Sequence, residues 1–270
     1  MLYKQTNTLD GLIDDVPVTA DRAVATCVLL GSKALDVDAF PRLRGIFRVG
    51  VGTENVPWAA AKARGLRVGL PSTGTAEIIY RETASFTCYL ILQAVYGAAG
   101  TLEGWIKHPR REIGVRTLLV IGLGHIGRRV ATQMSSFMPV TTYDVLENAP
   151  DDLPRLLAGA DIVTLHVPLT DATRGMVGAR ELAQLRDGAT IINTARGALV
   201  DEAALLAELQ RGRVRASFDV FWKEPYAGPL AALPADRFHM TPHVASTCDG
   251  FLVRLADDLR QFMRDLETPA

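Results

Sequence analysis

The stretch TLLVIGLGHIGRRVATQMSSFMPVTTYD, residues 117–144, decides the fold. It opens on the apolar run Thr117–Ile121, passes through Gly122-Leu123-Gly124-His125-Ile126-Gly127, and continues with Ile126, Val130, Ala131 and Met134 at helical spacing. It closes on a second short run, Val140–Tyr143, that ends in Asp144. A continuous apolar run bounded by turn residues reads as a strand covered on both faces, and the helical recurrence after it reads as the helix that covers one of them. Each glycine between them has a task. Gly122 permits a tight turn, Gly124 lets backbone approach a pyrophosphate, and Gly127 lets the helix pack closely on the strand, while the free N–H groups at the helix start face the anion. His125 and Ile126 complete the loop, with the His125 side chain turned to solvent or to the cofactor edge. Asp144 follows about 20 residues after the first glycine, where a carboxylate accepts from a ribose 2′-OH and repels a 2′-phosphate. The loop is therefore expected to hold NAD in preference to NADP.

Outward from this loop the same alternation repeats. Apolar runs at 25–30, 45–49, 67–70, 162–166, 190–193 and 216–219 read as strands, and segments of helical period at 56–64, 76–95, 127–134, 153–158, 179–184, 202–211 and 251–266 read as helices. Such alternation builds a parallel α/β sheet. In the last segment Leu252, Leu255, Leu259, Phe262 and Met263 form one apolar stripe, expected to face a core. The first three strands precede the long helix and the others follow it, which predicts two domains: 1–74 with 246–270, and 75–245.

Composition narrows the function. Lys and Arg total 29 against 30 for Asp and Glu, a net charge of -1 over 270 residues, so no global field favours nucleic acid or an anionic membrane. Hydrophobic residues at 48% with 22% charged describe a globular chain able to bury a large core. Cys27, Cys88 and Cys248 stand apart from one another and from any His at ligand spacing, so they read as buried small hydrophobes, with no metal site. Residues 1–10 carry no apolar core stretch and the most apolar segment, 84–100, is interrupted by Ser85, Thr87 and Gln93. A soluble cytoplasmic protein is expected.

Beyond the loop, three segments each close a strand with a reactive side chain: Asn193-Thr194-Ala195-Arg196-Gly197, Asp219 through Glu224-Pro225, and Thr241-Pro242-His243. In a doubly wound sheet the carboxyl ends of the strands share one crevice, so Arg196, Glu224 and His243 are expected to converge there. Reduction of a 2-oxo acid needs these three types. Charge develops on the carbonyl oxygen and an acid must deliver a proton, a task for His243. An adjacent carboxylate, Glu224, favours the charged imidazole and fixes its orientation. Arg196 offers a planar fork of donors that can hold a substrate carboxylate and polarise the carbonyl. Trp222 and Tyr226 flank Glu224 and either shape the pocket or only pack. His108 and His239 read as surface residues.

With these residues identified, the chain resembles the D-isomer-specific 2-hydroxyacid dehydrogenases. The matching stretches are VIGLGHIGRRVA, TTYD, HVPLTDATRGMV, LRDGATIINTARGALVDEAALLAEL, ASFDVFWKEP and TPHVAS, with RVGVGTENV earlier. The resemblance puts the family's catalytic Arg, Glu and His on Arg196, Glu224 and His243, and its carboxylate-binding backbone turn on Val51 and Gly52. It places His166, Val167 and Pro168 on the adenosine side of the cofactor and implies further cofactor contacts at Thr173, Thr194 and Ala195. Asp219 stays open between a cofactor contact and a cap on its strand end. Arg48 lies where relatives acting on phosphoglycerate carry Arg, and is open between an anion contact to substrate and an exposed strand end.

The implied architecture is a Rossmann domain, inserted into a smaller α/β substrate domain of truncated flavodoxin-like form with a cleft between them. The implied activity is hydride transfer between NAD(H) and a D-2-hydroxy acid/2-oxo acid pair, in a homodimer built through the nucleotide domains. Two other readings share the fold: an NAD(H)-sensing, corepressor-like regulator without turnover, and a dehydrogenase of an unusual donor such as formate or phosphite. The chain departs from the family at its start, where the first β-α unit reads as missing or eroded over residues 1–22. It departs again at Glu54-Asn55 and at Tyr80-Arg81-Glu82, and it ends too soon after the last helix for a regulatory domain.

Overall fold

The computed structural model describes residues 1–97 and 99–268. The chain runs through β1 (Leu2–Lys4), β2 (Cys27–Leu30), β3 (Gly45–Arg48), α1 (Trp58–Ala63), β4 (Arg67–Gly69) and α2 (Thr73–Tyr96). A short antiparallel hairpin follows, β5 (Gly100–Thr101) with β6 (Ile106–Lys107). Then come β7 (Leu118–Ile121), α3 (His125–Met134), β8 (Val140–Tyr143), α4 (Asp152–Gly159), β9 (Ile162–Leu165) and α5 (Ala179–Gln184). The chain closes with β10 (Thr190–Asn193), α6 (Glu202–Gln210), β11 (Arg215–Phe218), β12 (Phe238–Met240) and α7 (Asp249–Glu267). Two compact units result, Met1–Tyr80 with Ser246–Ala270, and Arg81–Ala245.

The second unit is a parallel sheet in the order β12-β11-β10-β9-β7-β8. Its central strands β7 and β9 are buried throughout because both faces are covered, and the period of two divides the side chains between the faces. Leu119, Ile121, Val163, Leu165, Ile191 and Phe218 pack against Leu157 of α4, Leu182 of α5 and Leu205 of α6. Leu118, Val120, Ile162 and Ile192 pack against Leu90, Ile91 and Val95 of α2 and Val130 and Met134 of α3. Strand order reverses at β7, which pairs with β8 on one side and β9 on the other. Such a reversal opens a crevice at the carboxyl ends of the two central strands, and the glycine loop sits at that end of β7.

The first unit carries the parallel order β1-β2-β3-β4. This is the order left when the outer second strand of a flavodoxin-like 2-1-3-4-5 sheet is missing. One face packs Cys27, Leu29 and Phe47 against Phe251, Leu255 and Leu259 of α7, with Leu252, Phe262 and Met263 at the margin. The ring centroids of Phe47 and Phe262 lie 5.5 Å apart, which makes the stripe on α7 a core face. The other face buries Val28, Leu30 and Ile46 with Ala61 of α1.

The structure departs from the sequence expectation in four places. Residues 1–22 do hold a strand: β1 pairs in parallel with β2, and Leu2 is fully buried. Only its helix is replaced, by turns that bury Leu9, Ile13 and Val16. Three residues are too few to show a period. The strand β12 ahead of His243 and the β5–β6 hairpin lie outside the expected runs for the same reason. The junction between the units falls inside α2, between Tyr80 and Arg81, and not near Gly74. Ile78 and Ile79, one turn into that helix, belong to the first core and carry it further along the chain.

Burial pushes the Cys27 thiol up to about 12 and the partly buried Cys88 thiol up to about 11, which disfavours their thiolate forms. Cys248 is half-buried at the position capping α7. Among the described residues no helix is long and apolar enough to cross a membrane, and no group of three His, Cys, Asp or Glu could hold a metal ion.

Candidate active site

The turn after β7 is shaped by its glycines. Gly122 takes φ +95, and a Cβ there would come within 2.6 Å of the His166 carbonyl oxygen. A Cβ on Gly127 would meet the Gly122 carbonyl oxygen at 1.9 Å, so the helix reaches the strand only as glycine. Gly124, by contrast, has open space where a side chain would project. It caps α3 with no side-chain hydrogen bond, which leaves the helix N-terminus with backbone donors for an anion. This is a cradle suited to a dinucleotide pyrophosphate. His125 is exposed on the first turn of α3, while Ile126 packs on the core.

Asp144 lies at the end of β8 and joins this loop. Its Oδ2 accepts from the Leu123 N–H at 2.7 Å and its Oδ1 from the Leu146 N–H at 3.0 Å. These backbone donors, Leu123 first, with the nearby Arg128 charge, hold its carboxyl below the usual carboxylate range. A fixed negative charge with spare lone pairs therefore sits beside the glycine turn.

Behind the loop His166 meets the Thr164 hydroxyl through Nε2 at 3.0 Å. Part of the residue remains accessible, but burial of the ring lowers its pKa to about 3, so the imidazole is neutral. Val167 packs against Gly122 and the core. The Thr173 hydroxyl donates to the Pro168 carbonyl at 2.6 Å and closes the turn that follows.

Three neighbouring strands, β10, β11 and β12, deliver the reactive side chains. After β10 the fully buried Asn193 staples its own turn: its Nδ2 donates to the Arg196 carbonyl at 2.8 Å and its Oδ1 accepts from the Ala195 N–H at 3.0 Å. Side-chain bonds of this kind suit Asn to turns, and nothing in the sequence pattern alone assigns Asn193 this role. Arg196 is half-buried, and its guanidinium donates to the Ala195 carbonyl at 2.6 Å.

After β11 the chain carries Glu224, whose Oε1 accepts from the Phe221 N–H at 3.2 Å. Trp222 donates from Nε1 to the Val200 carbonyl at 2.8 Å, and the Tyr226 hydroxyl donates to Glu202 at 2.5 Å. The rings of Phe221 and Tyr226 stack at 4.9 Å. Both flanking aromatics thus pin the loop. Gly197 packs onto it so closely that a Cβ would lie 2.2 Å from the Phe221 carbonyl carbon.

After β12 comes His243, with φ +55, a conformation uncommon for a residue other than glycine. Its Nδ1 donates to Glu224 Oε2 at 2.8 Å. Burial, the largest influence on Glu224, pushes its pKa up, but the His243 bond and charge, the Phe221 N–H and the Arg196 charge together hold it below the ordinary glutamate value. Glu224 is therefore ionised and orients the ring, leaving Nε2 of His243 as the nitrogen not committed to it.

Several expected contacts sit differently. Asp219 is fully buried and turned toward the His243 segment: Oδ1 accepts from the Thr241 hydroxyl at 2.6 Å and the Val244 N–H at 2.9 Å, and Oδ2 from the Ala245 N–H at 2.9 Å. It is a clasp on that segment, not an outward cofactor contact. The buried Thr194 hydroxyl bonds Thr87 of α2 at 2.8 Å, behind the sheet, and Ala195 is partly buried against the core. His239 is half-buried, its Nδ1 3.5 Å from Gln93 and its Nε2 without a partner, because it lies on the covered face of β12.

The first unit holds the glycine turn of RVGVGTENV. Gly50 takes φ +96, and Val51 and Gly52 follow it, partly accessible. Arg48 is only 7% exposed. Its guanidinium turns inward, donating to the Gly52 carbonyl at 2.8 Å, the Leu30 carbonyl at 3.3 Å and the Val49 carbonyl. It braces the turn and does not project from the strand end.

Comparisons with known proteins identify the family. Residues 95–245 match the family described as D-isomer specific 2-hydroxyacid dehydrogenase, NAD binding domain. The chain is 34% identical over 228 residues to a hydroxypyruvate reductase of Thermotoga maritima, covering 79% of this chain and 74% of that one. It is 35% identical over 234 residues to a glycerate dehydrogenase of Methylorubrum extorquens, covering 81% and 74%. A solved D-lactate dehydrogenase from Aquifex aeolicus, complexed with NAD and lactic acid, superposes with a TM-score of 0.79 at 25% identity over 98% of this chain and 95% of that one. Its cofactor is NAD, and the chain is an NAD-dependent oxidoreductase that belongs to the D-isomer-specific 2-hydroxyacid dehydrogenase family.

Proposed function

We propose that this chain interconverts a D-2-hydroxy acid and its 2-oxo acid, with His243 as the proton donor in reduction and the acceptor in oxidation. The observation that carries the reading is the His243–Glu224 bond of 2.8 Å, formed where the ends of β11 and β12 meet and under the charge of Arg196. NAD(H), when bound, supplies or accepts the hydride. Gly122, Gly124 and Gly127 would hold its pyrophosphate, Asp144 its adenosine ribose, and the segment His166, Val167, Pro168 its adenosine side. Through Nδ1, Glu224 orients the imidazole, so that Nε2 carries the proton exchanged with the substrate oxygen. The guanidinium of Arg196 binds the substrate carboxylate and polarises the carbonyl. In the first unit the backbone N–H groups of Val51 and Gly52 offer carboxylate-binding donors, and Arg48 keeps their turn in shape.

The names of the relatives point to small acids of the hydroxypyruvate and glycerate type. A panel of 2-oxo acids including hydroxypyruvate and glyoxylate, assayed with NADH and NADPH, tests this. Turnover of a panel member with NADH supports the assignment, and NADH binding without turnover of any member rejects it.

A homodimer through the nucleotide-binding unit completes the reading. On that unit the β5–β6 hairpin exposes Leu102 at 85% and Trp105 at 75%, and the outer face of α2 exposes Tyr89 and Tyr96. These exposed large apolar side chains support an association surface on this unit.

A further inference from the structure

The rim of the cofactor loop carries a second carboxylate that the hydride chemistry does not use. Beyond Asp144 the chain turns at once: the N–H groups of Glu147 and Asn148 both donate to the Asp144 carbonyl, at 2.9 and 2.8 Å, and Asp144 Oδ1 accepts from Leu146. This turn returns Glu147 toward the start of α3. There its Oε1 meets the guanidinium of Arg128 at 3.1 Å. Arg128 stands on the first turn of α3, one residue past the last glycine of the loop, and its charge acts on Asp144. Three charges thus line one rim in the order Asp144, Arg128, Glu147, with a net charge of one negative unit.

An arginine beside the ribose-binding carboxylate is the group that accommodates a 2′-phosphate in enzymes that take NADP. This chain has such an arginine within the field of Asp144. We propose that Glu147 is a specificity-determining residue that holds Arg128 away from the 2′ position, so that preference for NAD rests on two carboxylates. Asp144 repels the extra phosphate, and Glu147 withholds the cation that would attract it. The inference rests on the reading that Asp144 receives the adenosine ribose.

The alternative is an idle surface ion pair. Exposed pairs contribute little to stability, and the Arg128 and Glu147 side chains are 65% and 47% exposed. The fold is therefore indifferent to the pair, and cofactor choice is where its effect shows. Fluorescence titration of NADH and NADPH gives the dissociation constants for the wild type, Glu147→Gln, Asp144→Ala, the double variant, and the double variant with Arg128→Ala added. Glu147→Gln is expected to tighten NADPH by about 3-fold or more, with NADH within about 2-fold, because a charge-assisted bond to phosphate becomes available. The double variant is expected to tighten NADPH by about 10-fold or more, and Arg128→Ala is expected to erase the part of the gain that Glu147→Gln added.

Unchanged NADPH affinity in Glu147→Gln, or a gain that survives Arg128→Ala, overturns the proposal. Absence of saturable NADH binding by the wild type overturns it together with the cofactor-site reading beneath it. Since the readout is binding, a chain that takes NADH but reduces no 2-oxo acid fails the redox assignment alone.

Discussion

The position of His243 is set by one side-chain bond and by backbone bonds around it. Glu224 takes Nδ1, Asp219 gathers the N–H groups of Val244 and Ala245, and the His243 N–H itself donates to the Thr241 carbonyl at 3.0 Å. Glu224→Gln keeps the size of the side chain but removes the charge. It is expected to cut turnover by about 10-fold or more while NADH binding holds, as stopped-flow and titration together would show. Equal loss in both would assign Glu224 to cofactor binding.

At the same scale His166 gives a pH dependence. Its ring stays neutral in the fold down to about 3 and takes a proton near 6.5 in the unfolded chain. Between those values the unfolded state binds more protons. Its contribution to stability is therefore complete above 6.5 and falls as pH drops toward 3, by up to about 1.4 kcal/mol per pH unit. His166→Asn should flatten urea-midpoint curves measured from about pH 7 to pH 5. Equal slopes in variant and wild type would count against a neutral ring. The pairing proposed for Glu224 and His243 could be suspected from sequence because both are chemically demanding types close to strand ends. The orientations of Arg48, Thr194 and Asp219 could not, because their partners, Leu30, Thr87 and the 241–245 segment, come from elsewhere in the chain.

Among the elements, the strands buried on both faces were the easiest to read, since at most a small Thr or Ser interrupts the apolar run at their centre. β1 and β12 escaped notice because three residues carry no period, although Leu2 and Phe238 anchor them in the cores. The close approach of the Arg196 turn to the Glu224 loop was also invisible. Gly197 follows Arg196 in a pattern that reads as an ordinary turn, and only the structure brings it onto the backbone of Phe221 and Trp222. Gly197→Ala must push those two loops apart. The variant is expected to lose about 1–3 kcal/mol of stability, the scale of overpacking, and to lose turnover beyond what the stability change explains. Thermal denaturation and kcat of the purified variant measure both. Full activity would mean that Arg196 and Glu224 need not be held in register.

For the whole molecule, near-neutral charge gives no global field toward polyanions, and the α/β alternation reads directly as a parallel sheet. The chain divides inside α2, a position that depends on where Ile78 and Ile79 pack. The proposed dimer rests on the exposure of Leu102 and Trp105. Light scattering on a sizing column is expected to give the mass of a dimer, and Trp105→Glu on the hairpin is expected to shift it toward the monomer. A wild-type chain that elutes as a monomer at all concentrations would leave that apolar face unexplained.

The central claim is that the imidazole of His243 moves the proton while other groups hold the cofactor. Comparing His243→Ala with the wild type, by NADH titration and by single-turnover reduction of the best 2-oxo acid, tests it most directly. The expected result is an NADH dissociation constant within about 2-fold of wild type and a rate lower by about 100-fold or more. Parallel losses of binding and rate, or a variant that reduces the acid as fast as the wild type, would contradict it.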